Sequence, residues 1–216
     1  MPYKSVNTVY PIALAVCVVA IVIIFYFCCF NTVTTVLLVR HAEKAETPPE
    51  NPPLKSEGHS RAEELIGVAD DTGVGAIYAT EFCRTTQTAQ PLALSLNLPV
   101  NIQRNTIPGD QLARCNPSIT ATLNLLDADI DTVPEIVDHL FSNHRGKVIL
   151  IVGHSNTVPQ IVEELGAPSL CPDYFPLSSG SCSIPDEEFD NLFVLTIPRF
   201  FGTVKIVKAK YGAANS

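Results

Sequence analysis

The sequence predicts an α/β protein, a three-layer α/β/α sandwich with a mainly parallel sheet, preceded by a single N-terminal transmembrane helix. Three observations carry that prediction. Residues 11–30 hold an uncharged apolar run, about the 20 residues a helix needs to cross bilayer hydrocarbon. Beyond it, short β-branched runs alternate with stretches whose apolar residues recur at helical spacing, the pattern of strands joined by helices. The polar clusters that interrupt the pattern fall at strand ends, where such sheets bind ligands. Two regions follow: 1–31, a tail and anchor, and 32–216, one α/β domain with length for a single core.

The N-terminal run is PIALAVCVVAIVIIFYFCCF, Pro11 to Phe30. It is apolar on every side, whereas a helix packed on a core shows one apolar stripe. A cleaved signal peptide would carry a shorter apolar region ending in small residues; this run ends in Phe, Tyr and Cys, and reads as an uncleaved single-pass anchor. Lys4 and the terminal amine precede it, and the first basic residue after it is Arg40. The positive-inside bias therefore leaves the N-terminus in the cytoplasm and exports the domain that follows.

The first strand is TVTTVLLV, Thr32 to Val39, ending at Arg40 and His41. ETPPENPPLKS contains four prolines, which forbid helix and sheet and mark an exposed loop. Ala62, Leu65, Ile66 and Ala69 then lie on one helix face. GAIYAT is a strand followed by Glu81, Arg84 and a helix from about Arg84 that Pro91 should kink or shorten. Thr132 and Glu135 form a capping box with Pro134 in the first turn, and Val133, Ile136, Val137, Leu140 and Phe141 make the stripe behind it. KVILIV is the clearest buried strand. Gly153 and His154 turn it into a helix starting at Ser155 or Asn156, with Val158, Ile161, Val162 and Leu165 on one side. NLFVLTI and GTVKIVKAKY close the chain as consecutive strands.

The chain has 14 Lys and Arg against 22 Asp and Glu, a net charge of -8 and a pI near 5.0. That balance excludes a nucleic-acid partner, which needs a basic face, and requires that any anionic ligand meet a local cluster of positive groups. Cys17, Cys28 and Cys29 lie in the apolar run, and Cys83, Cys115, Cys171 and Cys182 beyond it. The last four suit disulfides in an oxidising compartment, with Cys171 to Cys182 the most local pairing, or packed reduced thiols in the cytosol. No Cys-x-x-Cys zinc pattern is present.

Three polar clusters follow three strands: Arg40 and His41, Glu81 and Arg84, and His154. Two arginines and two histidines in one crevice suit a phosphoryl group. Guanidinium forks pair with phosphate oxygens and keep their charge, a neutral imidazole is a competent nucleophile, and a helix beginning at Ser155 or Asn156 adds backbone N–H donors. Taken together, LLVRHAEK, LKSEGHSRAEEL, ATEFCRTTQTAQPLA and IVGHSNTVP resemble, in order, the blocks of the histidine phosphatase superfamily, which includes the phosphoglycerate mutase-like enzymes.

That resemblance covers essentially Thr32 to Gly212. It implies a phosphoglycerate mutase-like fold and a phosphohydrolase in which His41 is transiently phosphorylated. Arg40, Arg84 and His154 would hold the phosphate, and neither metal nor cofactor would be needed. It also implies that the Gly58 region orients His41. Substrates would be phosphorylated small molecules or phosphoproteins. The family usually supplies a carboxylic acid for the leaving oxygen. Glu81 is the nearest candidate, although a surface carboxylate or an arginine partner is the reading its position favours. The rival reading is a non-catalytic phosphoryl-binding domain at the membrane, and a mutase activity has no use for an anchor.

Other phosphoryl chemistries fail on spacing. Cys-x5-Arg is absent, since the residues six after the four cysteines are Ala89, Ala121, Leu177 and Glu188. Asp129, Asp131 and Val133 match an aspartyl-phosphate pattern but lack the preceding strand. His59, His139 and His144 read as surface or packing residues, and Cys83 as a packed cysteine.

Overall fold

The computed structural model describes residues 9–30, 33–103, 115, 123–126, 130, 132–178, 180–199 and 202–212. Asp129 and Asp131 lie outside them. The chain divides into two compact units, Met1–Thr32 and Val33–Ser216. The first holds α1 (Val9–Phe30), a helix of 22 residues without an acidic or basic side chain. Its side chains over residues 12–26 are all exposed. Among the described residues no helix is long and apolar enough to cross a membrane, so the expected span over residues 11–30 is not established here.

In the second unit the elements run β1 (Val33–Arg40), α2 (Ser56–Ala69), β2 (Val74–Thr80), α3 (Cys83–Leu96), β3 (Val100–Gln103), β4 (Leu123–Leu125), α4 (Val133–His144), β5 (Val148–Gly153), α5 (Thr157–Glu164), β6 (Leu177–Ser178), β7 (Ser181–Cys182), β8 (Asn191–Pro198) and β9 (Lys205–Lys210). Seven strands form one sheet in the order β4-β3-β2-β5-β1-β8-β9, and β6 and β7 pair separately. β4, β3, β2, β5 and β1 run parallel; β8 and β9 complete the sheet antiparallel. The two terminal strands follow one another with a short connection, which permits an antiparallel pair but no crossover.

Period-two alternation divides the core. Leu37, Val39, Ile77 and Leu150 point to one face, where Leu65 and Ala69 of α2 and Ala89, Leu92 and Ala93 of α3 cover them. Val36, Leu38, Tyr78 and Ile151 point to the other, against Ile136, Val137 and Leu140 of α4 and Val158, Ile161 and Val162 of α5. This is the expected sandwich. The capping box of Thr132 and Glu135 forms as read from the sequence, with proline in the first turn.

Two expectations need correction. Pro91 neither ends nor shortens α3, which continues to Leu96; burial of Ala89, Leu92 and Ala93 on the sheet holds the helix together around the missing N–H donor. The proline loop is exposed only in part. Residues 46–50 are exposed, but Asn51 and Leu54 are buried. Asn51 Oδ1 accepts the Cys83 N–H at 2.8 Å and Gln87 Oε1 accepts the Leu54 N–H at 2.7 Å, so the returning half of the loop is tied to the start of α3.

Candidate active site

Three adjacent strands end side by side. Arg40 is the last residue of β1 and His41 follows it; the His41 N–H donates to Gly153 O at 2.9 Å, joining the ends of β1 and β5. His154 comes next after β5, while Thr80 closes β2 and the turn Glu81–Phe82 leads into α3 with Arg84 in its first turn. The His41 and His154 rings lie 5.5 Å apart, centroid to centroid, at 66°. The four residues singled out in the sequence are thus brought together.

His41 is 3% exposed, and its Nδ1 lies 2.8 Å from Ala42 O. A carbonyl can only accept, so Nδ1 carries the proton and Nε2 keeps its lone pair. Burial, opposed by the Ala42 carbonyl and reinforced by His154, Arg40 and Arg84, pushes the His41 pKa down to about 2. Burial, then Arg84 and Arg40, push His154 down to about 3. Both imidazoles are neutral at neutral pH.

The orienting carbonyl belongs to Ala42, which corrects the expectation that the Gly58 region does this directly. A Cβ at Gly58 would collide with the Glu43 carbonyl, so the glycine lets α2 approach the strand end closely. Glu43 itself is buried against Arg61, whose Nη2 donates to Oε1 at 2.7 Å and whose Nε lies 3.1 and 3.0 Å from the two carboxylate oxygens. Arg61 Nη1 donates to Tyr211 O at 3.2 Å. Glu43 and Arg61 brace the segment that carries His41.

Arg40, 4% exposed, is held by the segment before β8. Its Nη1 donates to Pro185 O at 2.7 Å, Asp186 O at 3.2 Å and Glu188 O at 3.4 Å, and Nη2 to Asp186 Oδ1 at 3.4 Å. The expected phosphate fork is therefore corrected in part, because these carbonyls take up Nη1 and the Asp186 carboxylate takes up Nη2. The Nε of Arg40 and that of Arg84 are buried and, among the described residues, have no partner. Burial lowers both guanidinium pKa values, and at Arg84 the Arg40 charge lowers it further. Two like charges with unused buried donors fit an oxyanion, which would satisfy both at once.

Residues 36–106, which include Arg40, His41 and Arg84, match the family model described as histidine phosphatase superfamily (branch 1). Over that stretch, about a third of the chain, the sequence is similar to that family. No curated protein matches the sequence. Among solved structures, the chain is similar to mycobacterial glucosyl-3-phosphoglycerate phosphatase, at 13% identity and a TM-score of 0.53 over 84% of this chain and 100% of that one. It is also similar to a candidate phosphohistidine phosphatase, SixA, from Agrobacterium tumefaciens, at 17% identity and a TM-score of 0.51 over 83% and 98%. The protein histidine phosphatase SixA with tungstate matches at 16% identity and a TM-score of 0.50 over 82% and 96%. At these identities the likeness establishes the fold.

Several residues of this site gave no sequence signal. Phe189 lies 4.4 Å below the Arg40 guanidinium and 6.2 Å from the His41 ring, and Phe82 4.3 Å below Arg84 and 5.2 Å from the His154 ring. Each aromatic faces one arginine and touches one histidine. Thr80 bonds to Thr85 and to His154. Other placements are corrections. Glu81 is 4% exposed and so is not a surface carboxylate. α5 begins at Thr157, because the Thr157 hydroxyl accepts the His154 N–H at 2.9 Å and makes Ser155 and Asn156 a turn. Ser155 is half-buried with its carbonyl taken by the Ile184 N–H, and Asn156 is exposed. Cys171 pairs with Cys182, the most local of the expected pairings, and Cys83 pairs with Cys115, so only the reading of Cys83 as a packed thiol is corrected.

Proposed function

We propose that the chain is a membrane-anchored phosphohydrolase acting through a phosphohistidine on His41. The supporting observation is a neutral His41 with its Nε2 lone pair available beside Arg40 and Arg84, whose buried Nε–H groups have no partner among the described residues. In this reading the substrate phosphoryl lies between the guanidinium groups. His41 Nε2 forms the bond to phosphorus as the bond to the leaving oxygen breaks and its electron pair goes to that oxygen. Water then attacks the phosphohistidine and releases phosphate.

A cavity of about 390 Å³ opens beside His154, between β2, β5 and the starts of α4 and α5. Among the described residues that line it none is charged; its polar lining includes Thr132, Thr157 and Gln160 and its apolar lining Tyr78, Ile136 and Ile161. This lining suits the uncharged part of a phosphomonoester or a phosphorylated side chain. The experiment is a phosphatase assay of the full-length protein over phosphomonoesters and phosphohistidine peptides, with tungstate as competitor, because a SixA structure holds that oxyanion. His41→Ala is expected to lower turnover by on the order of 10³-fold or more. Tungstate binding without turnover by the wild type would instead mark a phosphoryl-binding module.

The anchor reading is supported by α1, a 22-residue helix of uncharged sequence whose apolar side chains from Ile12 to Tyr26 are exposed. Export of the domain is supported by two disulfides, which persist in oxidising compartments. Extraction of membranes with carbonate and protease treatment of intact cells test the two; release by carbonate, or protection of the domain from protease, contradicts them.

A further inference from the structure

His154 Nε2 lies 2.9 Å from Thr80 Oγ1, which lies 2.8 Å from Thr85 Oγ1. Thr85 Oγ1 in turn lies 2.9 Å from Thr80 O and 2.8 Å from Phe82 O. The direction of this chain can be solved from its far end. Carbonyls cannot donate, so the single Thr85 proton must point to them; otherwise three oxygens would meet without a hydrogen between them. The contact between the hydroxyls therefore uses the Thr80 proton. Thr80 has none left for His154, so His154 Nε2 carries a hydrogen and donates it. In the neutral ring the lone pair is on Nδ1, the opposite arrangement to His41, whose lone pair is on Nε2.

This assignment has a consequence for any phosphoryl group held by Arg40 and Arg84. Phosphate oxygens of a dianion accept only, and with Nε2 engaged at Thr80 the nitrogen of His154 left to meet them is Nδ1, which in the neutral ring holds a lone pair. The pair is compatible only if one proton is shared, on His154 Nδ1 or on a phosphoryl oxygen. Among the described residues, the charged and titratable groups that act on His154 are His41 from the end of β1, Arg40 beside it and Arg84 from α3. With these alone the ring stays neutral, so the phosphoryl anion must bring the proton with it.

We propose that Thr80 and Thr85 are positioning residues that lock the His154 tautomer, so that His154 Nδ1 carries the proton the leaving oxygen takes. The catalytic part rests on the phosphohydrolase reading; the tautomer does not. In the first step His41 Nε2 bonds to phosphorus, the electron pair of the breaking P–O bond goes to the leaving oxygen, and that oxygen takes the proton from Nδ1, leaving His154 neutral. In the second step water attacks the phosphohistidine, its proton returns to Nδ1, and phosphate and free His41 are regenerated. Protons balance over the cycle without a carboxylic acid.

The test uses full-length protein in detergent micelles. Nitrogen-15 spectra of histidine-labelled wild type, assigned by His154→Asn, are expected to show His154 protonated at Nε2 with the lone pair on Nδ1, and protonated at both nitrogens once tungstate is bound. Thr80→Val is expected to lower kcat by on the order of 10-fold or more for poor leaving groups, with KM little changed and a steeper dependence of rate on leaving-group pKa. Thr80→Ser, which keeps the hydroxyl, is expected to restore the shallow dependence. A lone pair found on Nε2 of His154 overturns the proposal, and so does a Thr80→Val enzyme with the leaving-group dependence of the wild type. Steepening by Glu81→Gln but not by Thr80→Val would assign the proton to Glu81 and overturn it as well. Absence of turnover in the wild type would sink the phosphohydrolase reading, while the spectra would still decide the tautomer.

Discussion

Acidification should destabilise this protein through its two site histidines. In the unfolded chain an imidazole titrates near 6.5, whereas burial and the flanking arginines hold His41 at about 2 and His154 at about 3 in the fold. As pH falls below 6.5 the unfolded state takes up protons that the native state refuses. The stability these groups contribute is therefore complete above that value and lost progressively down toward 3 and 2. At about pH 5 the loss is ~2 kcal/mol for each ring and ~4 kcal/mol for both, a large fraction of a typical ~5–15 kcal/mol. Urea unfolding followed by circular dichroism, at about pH 7.5 and about pH 5, measures it; paired carboxylates add to the same trend, so a His41→Gln, His154→Gln double variant supplies the reference. The difference between wild type and variant should shrink by ~4 kcal/mol on acidification, and tungstate should recover part of it by favouring the charged rings. A difference unchanged to within ~0.5 kcal/mol would refute the claim that these rings are buried and neutral.

Arg61→Met should cost ~3–5 kcal/mol, because it leaves the buried Glu43 carboxylate without its bidentate partner; equilibrium unfolding checks this, and a cost under ~1 kcal/mol would show that the pair does not brace the site. Gly58→Ala places a methyl against the Glu43 carbonyl and should cost ~1–3 kcal/mol. It should also reduce kcat with tungstate affinity little changed, since it shifts the segment that orients His41 while the arginines stay in place; equal kcat in variant and wild type would contradict that role.

The quartet at the strand ends was legible because each member follows a strand whose apolar pattern is unmistakable, and strand ends in a parallel sheet converge. Arg40, His41, Arg84 and His154 needed only the topology. The supporting shell was not legible because it depends on long-range closure. The carbonyls that hold Arg40 come from 145 to 148 residues further along the chain, and nothing local marks Phe82 or Phe189 as arginine platforms. Asn51 sits in a proline-rich loop that reads as exposed, yet its side chain reaches the first turn of α3. Pro91 misled for a related reason, since tertiary burial outweighed the local cost of one missing donor. Glu81 reads as a surface carboxylate from its charge, and the β2–α3 turn folds it inward.

The most direct measurement is capture of the covalent intermediate. Full-length protein mixed briefly with a phosphorus-32-labelled phosphomonoester or phosphohistidine peptide and quenched in alkali should carry label on His41, stable to base and released by acid. His41→Ala should carry none, and His154→Ala should still accept it. Label on another residue, or sustained turnover by the His41→Ala variant, would contradict the account.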